Sequence, residues 1–255
     1  MPYWERVSEN AFRATEHTGG GWNTEEQHIA PAMGLLAHVV EQDRGARRAD
    51  GIPIARLSYD ILGVLPIEVC ETEVRVVRAG RTVELVEATL AHGGRPALVL
   101  RAWLLATRDT SSIESTALES IPGPADTPGW AASDRWPGGF IASIDVRREL
   151  VEPGHGHFWA RTDVPLVDEP HSRLSQVAGL VDIANGMTVR VDPTEVLFPN
   201  LDVVANIVRE PQGEWLGFDN RITIGPDGIG LTDCVLHDEQ GVLGSLSQVT
   251  TVRPR

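Results

Sequence analysis

The feature that most constrains this chain is that its second half repeats the order of elements found in its first half. Like residues recur at a nearly constant distance along the sequence. The matched pairs are Phe12 with Phe158 (146 positions apart), Leu85 with Leu231 (146), Gly34 with Gly179 (145) and Asp60 with Asp202 (142). An offset near 145 in a chain of 255 residues indicates an internal tandem duplication. We therefore expect one structural unit used twice.

Each unit consists of one predicted helix and about five predicted strands. Short Gly- or Pro-containing turns separate the strands, which favours antiparallel pairing. The predicted helices, Glu26–Gln42 and Ser172–Met187, are apolar on nearly every side, so each is expected to be enclosed by other structure. The predicted strands are Asn10–His17, Ile54–Leu62, Glu71–Arg78, Thr82–Ala91 and Pro96–Ala106 in the first half, and Phe140–Glu149, His157–Asp163, Leu201–Arg209, Trp215–Ile224, Gly230–His237 and Leu243–Val252 in the second. The predicted fold class is α+β, with a curved antiparallel sheet around each helix.

A stretch rich in Pro, Gly, Ser and Ala divides the two units. It extends from residue 113 to 139 and has no sustained hydrophobic period, which is typical of a linker or a long crossing loop. The predicted boundaries are 1–110 for the first unit, 111–138 for the linker and 139–255 for the second unit. Two such sheets can join edge to edge into one continuous sheet.

The charge balance excludes one class of partner. The chain has 36 acidic and 22 basic residues, all 22 of them arginine, and a formal net charge of −14. Non-specific nucleic-acid binding needs a basic surface that displaces counterions, so we predict no nucleic-acid partner. A few local arginines can still hold a phosphate within a negative field.

Neither a membrane nor an oxidising compartment is indicated. Cys70 and Cys234 are too few for a disulfide framework. The N-terminus lacks a secretory signal pattern, and no apolar run is long enough to span a bilayer. We therefore predict no membrane span and a cytoplasmic location. His155 and His157 have a metal-like spacing but no further ligand pattern, so no metal or other cofactor is predicted.

Several stretches together resemble one known family. They include GGGWNTEEQHIAPAMGLLAHVVE, PNLDVVANIVREPQGEWLGF and GPDGIGLTDCVLHDEQGVLGSLSQ. In order and spacing they are similar to the acyl-CoA thioesterase II-like group, in its actinobacterial thioesterase branch. The resemblance covers both halves and excludes mainly the linker. It implies a tandem, or double, hotdog fold and a hydrolase that uses an activated water to cleave the acyl thioester of coenzyme A or of an acyl carrier.

The resemblance also implies catalytic residues. In that group an Asp, a Ser or Thr and a Gln of the second half order and activate the attacking water. Carried over, the Asp falls on Asp202, the Gln on Gln248 in GSLSQVTT, and the Thr on Thr223 in RITIGPDG. Asp202 would then accept the proton of the water, while Gln248 and the hydroxyl hold it in line.

Structural explanations compete with these roles. Asp202 can cap the start of a strand or pair with Arg209, and its match with Asp60 leaves open which aspartate is catalytic or whether both are framework. Gln248 can face solvent in a half-exposed sheet. Each explanation would place the side chain away from a substrate.

Two further groups of residues are candidates for substrate binding. Arg78 and Arg81 form a basic turn that can meet the phosphates of coenzyme A, or that is simply a solvated hairpin tip. Gly20 and Gly21 can form a backbone nest for an anion, or only a flexible lead-in to the first helix. A duplicated chain supplies its own pseudo-dimer, and a free sheet edge would allow a homodimer.

Two other functions stay open at this stage. One is a non-catalytic hotdog protein that binds acyl thioesters or lipids. The other is an enoyl-thioester hydratase, which related folds perform with an Asp and a His in a D-x4-H spacing that this sequence lacks. Hydrolysis by a Ser-His-Asp triad is disfavoured, because there is no GxSxG motif.

Overall fold

The computed structural model describes residues 1–255, which form a 13-stranded antiparallel sheet, a two-stranded ribbon and four α-helices. The helices are α1 (Ile29–Arg47), α2 (Gly139–Ala142), α3 (Arg173–Ala178) and α4 (Ala184–Met187). The strands of the first half are β1 (Trp4–Ser8), β2 (Ala11–Ala14), β3 (Ile54–Ile61), β4 (Val69–Arg78), β5 (Val83–His92) and β6 (Arg95–Leu105). Those of the second half are β7 (Gly129–Trp130), β8 (Ile144–Glu152), β9 (His155–Thr162), β10 (Val196–Leu197), β11 (Asp202–Ile207), β12 (Leu216–Ile224), β13 (Ile229–Asp238), β14 (Gly241–Thr251) and β15 (Arg253–Pro254).

The large sheet is continuous across the two halves. Its strand order is β1-β2-β4-β5-β6-β3-β11-β14-β13-β12-β9-β8-β7, while β10 and β15 form the separate ribbon. The halves join through the antiparallel pair β3 and β11, in which Asp60 lies opposite Asp202 and Arg56 opposite Asn206. The predicted edge-to-edge arrangement of two antiparallel units is therefore what the chain forms.

The register of the sheet gives the correspondence between the halves. Val86 pairs with Ala102, and 146 positions later Thr232 pairs with Gln248. Ser58 pairs with Arg101 between β3 and β6. The positions 146 residues later, Val204 and Ser247, pair between β11 and β14. One offset thus relates the central strands of both units.

This register corrects the match between the two aspartates. At an offset of 146, Asp60 corresponds to Asn206, and Asp202 corresponds to Arg56. Asp60 and Asp202 face each other across the junction because the strands that carry them are antiparallel partners. The likeness of the two residue types is therefore no evidence of equivalent places in the repeat.

Helix α1 is the centre of the first half. All residues from Ala30 to Val40 are buried, as the apolar sequence predicts. The helix begins three residues later than predicted, because backbone groups of the preceding residues form hydrogen bonds outside the helix. The carbonyl of Glu26 accepts from Gly20, and the N–H of Gln27 donates to Leu65.

The central helix of the second half is interrupted, whereas the sequence pattern predicted a continuous helix over Ser172–Met187. Helix α3 ends at Ala178 with Gly179 as its C-cap, and a 3-10 turn over Val181–Ile183 leads into α4. Glycine is a weak helix former, and here it allows close packing on α1, since a Cβ at Gly34 would lie 3.0 Å from the Gly179 Cα. The interruption leaves the buried Asp182 in the 3-10 turn.

One further prediction about elements was wrong, and one strand was not predicted at all. The strand expected from Phe140 begins only at Ile144, because residues 139–142 form α2. Strand β1 was not anticipated, although Trp4 is fully buried in the core. Its free edge is covered by the second half, since the N–H groups of Tyr3 and Trp4 donate to the carbonyls of Pro165 and Leu166. This edge is therefore closed to pairing with another chain.

None of the helices combines the length and the apolar character needed to cross a bilayer.

Candidate active site

Four side chains converge on the interrupted helix of the second half. The Asp182 carboxylate accepts a 2.8 Å hydrogen bond at Oδ1 from Asn200 Nδ2, and its Oδ2 lies 3.5 Å from His28 Nδ1. The side-chain amide of Gln248 donates a 3.0 Å hydrogen bond to the backbone carbonyl of Asp182. The residues come from the 3-10 turn, the loop before β11, the start of α1 and β14, so both halves build the site.

Burial governs the charges at this centre. It raises the pKa of Asp182 to about 6, with the Asn200 hydrogen bond acting in the opposite direction. Burial also lowers the pKa of His28 to about 4, so the imidazole is neutral at pH 7. A carboxyl group with a pKa near 6 suits a general base that works close to neutral pH.

The contact between His28 and Asp182 is not an ion pair. The imidazole Nδ1 accepts a hydrogen bond from the Ala30 N–H at 3.2 Å, which assigns the ring proton to Nε2. In an ion pair each partner would favour the charged form of the other, whereas burial favours the neutral form of both. His28 therefore caps α1 and stands beside the carboxylate without neutralising it.

The centre opens onto a cleft with a volume of about 150 Å³. Its lining includes Gly20, Gly21, His28, Ile29, Asp182 and Asn200. A Cβ at Gly20 would lie 2.7 Å from the backbone nitrogen of His28, so only glycine allows the loop to approach the helix this closely. The predicted binding residues Gly20 and Gly21 are thus placed at the cleft.

Two polar groups, one on a residue that lines the cleft and one on a residue bonded to Asp182, have no hydrogen-bond partner. The backbone N–H of Ile29, at the first turn of the 19-residue α1, has no hydrogen-bond partner in the chain, and a helix N-terminus favours negative charge. The Gln248 side chain is 0% exposed, and its Oε1 also has no partner. The site therefore offers a donor for an anion and an acceptor for a proton donor such as water.

The structure does not bring Asp202 or Thr223 to the cleft. The Asp202 carboxylate accepts a 2.7 Å hydrogen bond from the Val249 N–H and so fastens β11 to β14. Thr223 is exposed on β12, opposite Leu231 of β13. Of the three predicted catalytic residues, only Gln248 lies at the converging centre, and it is buried, so the alternative of a solvent-facing side chain is wrong.

Arg78 and Arg81 lie at the other end of α1. Arg48, just after the helix, donates to the backbone carbonyls of Gly80 and Arg81, and Arg78 donates to the carbonyl of Val83 within the turn. A helix of 19 residues is about 28 Å long. The basic turn is therefore separated from the cleft by nearly the whole helix.

Sequence reasoning missed Asp182, Asn200 and His28. One signal for Asp182 was available: it is the only acidic residue within the apolar run from Leu174 to Met187. A carboxylate in such a run must be buried, and buried carboxylates with shifted pKa values are common at functional sites. No comparable signal marked Asn200 or His28.

Comparisons with known families identify the kind of protein that carries this site. The model of the acyl-CoA thioesterase C-terminal domain matches residues 116–252, and that of the acyl-CoA thioesterase N-terminal domain matches residues 18–105. The chain belongs to the acyl-CoA thioesterase family. No curated protein matches its sequence.

Solved structures show that this family member has the double hotdog fold. An acyl-CoA thioesterase II from Mycobacterium marinum is 17% identical, with a TM-score of 0.68, and the alignment covers 99% of this chain and 96% of that one. A hot dog fold protein of unknown function from Alicyclobacillus acidocaldarius is 15% identical, with a TM-score of 0.76 and coverage of 97% and 95%. The α+β double hotdog that the sequence predicts is therefore confirmed.

In this thioesterase-family chain, no group of three His, Cys, Asp or Glu side chains is arranged to hold a metal ion.

Proposed function

We propose that the chain hydrolyses acyl thioesters with a water molecule held between Asp182 Oδ2 and Gln248 Oε1. The observation that carries this proposal is the buried Asp182 carboxyl, whose pKa is raised to about 6, next to a buried amide oxygen without a partner. Both oxygens accept hydrogen bonds. A water that donates its two protons to them keeps a lone pair free for the carbonyl carbon of the substrate.

The reaction then follows from the groups present. Asp182 takes a proton as the water oxygen bonds to the thioester carbon, and the Ile29 N–H stabilises the resulting oxyanion. Collapse of the tetrahedral intermediate breaks the carbon–sulfur bond. The proton on Asp182 passes to the departing sulfur, which leaves a carboxylic acid and a free thiol.

Asn200 and His28 position the base. Asn200 occupies Oδ1 of Asp182, which leaves Oδ2 as the oxygen available to the water. His28 is neutral at pH 7, so the negative charge of the carboxylate stays available for proton transfer. Both are positioning residues in this scheme.

The acyl group would be carried by coenzyme A or by an acyl-carrier protein. The thioester must lie at the cleft beside Gly20 and Gly21, and contact of a phosphate with Arg78 or Arg81 stays a prediction. The place of these arginines at the far end of α1 makes them poor partners for a ligand bound only at the cleft. The cytoplasmic location and a homodimer also stay predictions.

Two variants test the proposal against the assignment made from sequence. Asp182→Asn is expected to lower kcat for acyl-CoA hydrolysis by about 10²- to 10⁴-fold, the usual contribution of a general base. Asp202→Asn serves as the matched control and should retain most of the activity. Release of free thiol from a panel of acyl-CoAs measures both, with circular dichroism to check folding.

The same panel separates the alternative functions. A non-catalytic binder would show saturable stabilisation by acyl-CoA without thiol release. A hydratase would consume the double bond of an enoyl-CoA and leave the thioester intact. Full activity of Asp182→Asn would contradict the proposed mechanism.

A further inference from the structure

Asn185 lies where the cleft of Asp182 meets two smaller cavities, since it lines all three. It belongs to α4 and follows Asp182 by three positions. Residues at this spacing on a helical turn are neighbours, with Cβ atoms about 5–6 Å apart. A substrate whose reacting carbon lies at Asp182 therefore has the atoms a few bonds from that carbon close to Asn185.

A chain of hydrogen bonds determines which end of the Asn185 amide is free. The Nδ2 of Asn200 donates to Asp182 Oδ1 at 2.8 Å and to the carbonyl of Asp202 at 3.2 Å. The oxygen of the Asn200 amide is therefore the end that meets Asn185. The Nδ2 of Asn185 donates to this oxygen at 3.3 Å and to the carbonyl of Phe198 at 3.4 Å. Both of its N–H groups are thus used, while Asn185 Oδ1 accepts from no group of the protein.

The first half has no counterpart of these two amides. At the offset of 145 that relates the central helices, Asn185 corresponds to Val40, and at the offset of 146 that relates the strands, Asn200 corresponds to Ile54. Val40 and Ile54 are buried apolar side chains, whereas Asn185 is partly exposed. The oriented acceptor therefore occurs only in the half that carries the proposed base.

The cleft has no cationic side chain. Its lining includes neither arginine nor lysine, and its carboxyl residues are Glu26 and Asp182. His28 also lines it but is neutral at pH 7, because burial lowers its pKa to about 4. A phosphate group has no charged side chain to pair with here, so the cleft favours a neutral polar group.

We propose that Asn185 Oδ1 accepts the N–H of an amide in the thiol half of the substrate, so that the cleft selects thiols with an amide nitrogen two carbons from the sulfur. The inference rests on the proposed function and names its class of leaving group. A hydrocarbon acyl chain has no donor, whereas the thiol arms of coenzyme A, acyl-carrier proteins and glutathione all have an amide N–H at this place. Three extended bonds span about 3.8 Å, so the four bonds from the thioester carbon to this nitrogen span about 5 Å, close to the separation of neighbours on a helical turn.

The test compares S-butanoyl-N-acetylcysteamine with S-butanoyl-2-mercaptoethyl acetate, in which an ester oxygen replaces the amide N–H. We expect the wild-type chain to cleave the amide thioester with a kcat/KM about tenfold higher, as for one good hydrogen bond. The ester oxygen is only an acceptor and repels Oδ1 of Asn185.

The variants are compared by the ratio of the two kcat/KM values, since loss of the bond to Asn200 lowers both rates alike. Asn185→Leu, which is similar in size but has no acceptor, should abolish the preference. Asn185→Asp, which keeps an acceptor oxygen, should retain it. Asn206→Leu makes the same substitution at an exposed position of β11 and is the matched control, which should leave both values unchanged.

Butanoyl-CoA and S-butanoylglutathione distinguish the carriers. Their kcat/KM values should lie within about tenfold of that for the N-acetylcysteamine thioester, because the phosphates of coenzyme A add no more than one further hydrogen bond. A larger advantage of butanoyl-CoA that disappears at high salt would show that its phosphates are recognised, and would overturn selection by the amide.

Equal kcat/KM values for the amide and ester analogues in the wild type, or an unchanged preference in Asn185→Leu, would also overturn the inference. If no thioester is cleaved, the proposed function fails, and ligand-observed NMR titrations of the two analogues then decide the inference separately. Tighter binding of the amide analogue that disappears in Asn185→Leu supports the site. Equal binding overturns it.

Discussion

The side-chain amide of Gln248 donates a 3.0 Å hydrogen bond to the backbone carbonyl of Asp182. This bond ties strand β14 to the 3-10 turn that carries the base, and it fixes the amide so that Oε1 is the free atom. Gln248 is thus both a structural tie for the turn and the proposed partner of the attacking water.

Gln248→Ala places in the second half the residue that the first half has at Ala102. We expect kcat for acyl-CoA hydrolysis to fall about 100-fold, because the water loses one of its two acceptors and the turn loses its tie. Steady-state kinetics measures the loss, and circular dichroism confirms that the sheet is intact. Gln212→Ala, in the loop before β12, is a control that should leave kcat unchanged, and a similar small effect for both variants would contradict the role of Gln248.

The pH dependence of hydrolysis reports the state of Asp182. Because its pKa is raised to about 6 by burial, log kcat/KM should fall with unit slope below about pH 6 and be flat above it. Asn200→Ala removes the hydrogen bond that lowers this pKa, so the acid limb should move to higher pH. If the acid limb of the pH profile lies at the same pH in Asn200→Ala as in the wild type, a group other than Asp182 governs the pH dependence.

The raised pKa of Asp182 also makes the stability of the fold decrease as the pH rises. A folded-state pKa raised from 3.8 to about 6 means that the full stability is present below about pH 4 and part of it is lost as the pH rises through 6. At 1.36 kcal/mol per unit this loss is about 3 kcal/mol. Asp182→Asn should therefore be more stable than the wild type at pH 8, and denaturant titrations at pH 4 and pH 8 measure the difference.

Glu169 provides a control of opposite sign for that experiment. Its pKa is lowered from 4.5 to about 2, first of all by the hydrogen bond from Arg6, so its contribution is present above about pH 4.5 and is lost as the pH falls through 2. Glu169→Gln should destabilise the chain at pH 8. If Asp182→Asn destabilises the chain at pH 8 as Glu169→Gln does, burial of Asp182 does not determine its pKa.

The close contact between the two central helices predicts that replacing Gly34 by alanine changes the stability of the fold. A Cβ at Gly34 would lie 2.8 Å from Leu166 Cδ1 and 2.9 Å from the Ser175 carbonyl. Gly34→Ala should therefore destabilise the fold by about 1–3 kcal/mol. Gly45→Ala on the same helix has nothing within 4 Å and should stabilise it by about 0.5–1 kcal/mol. Thermal unfolding compares them, and equal shifts would contradict the packing argument.

The sequence allowed the duplication, the α+β class and the first helix to be predicted, because hydrophobic periodicity and turn residues are local signals. Gln248 was assigned by the resemblance to the thioesterase group. The one signal for Asp182, an acidic residue within an apolar run, indicated burial but did not show that the helix breaks after Gly179, close to Gly34. The match of Asp60 with Asp202 failed for a related reason. Register is set by pairing between strands, which likeness of residues does not reveal.

The close approach of Gly34 and Gly179 also affects the distance between the start of α1 and Asp182. His28 is six residues before the first glycine and Asp182 three residues after the second, so the separation of the helices sets how far the capped start of α1 stands from the base. A side chain at the crossing would widen that gap and move the oxyanion donor away from the water. In the proposed mechanism, two residues that do not touch the substrate thus set the distance between the oxyanion donor and the base.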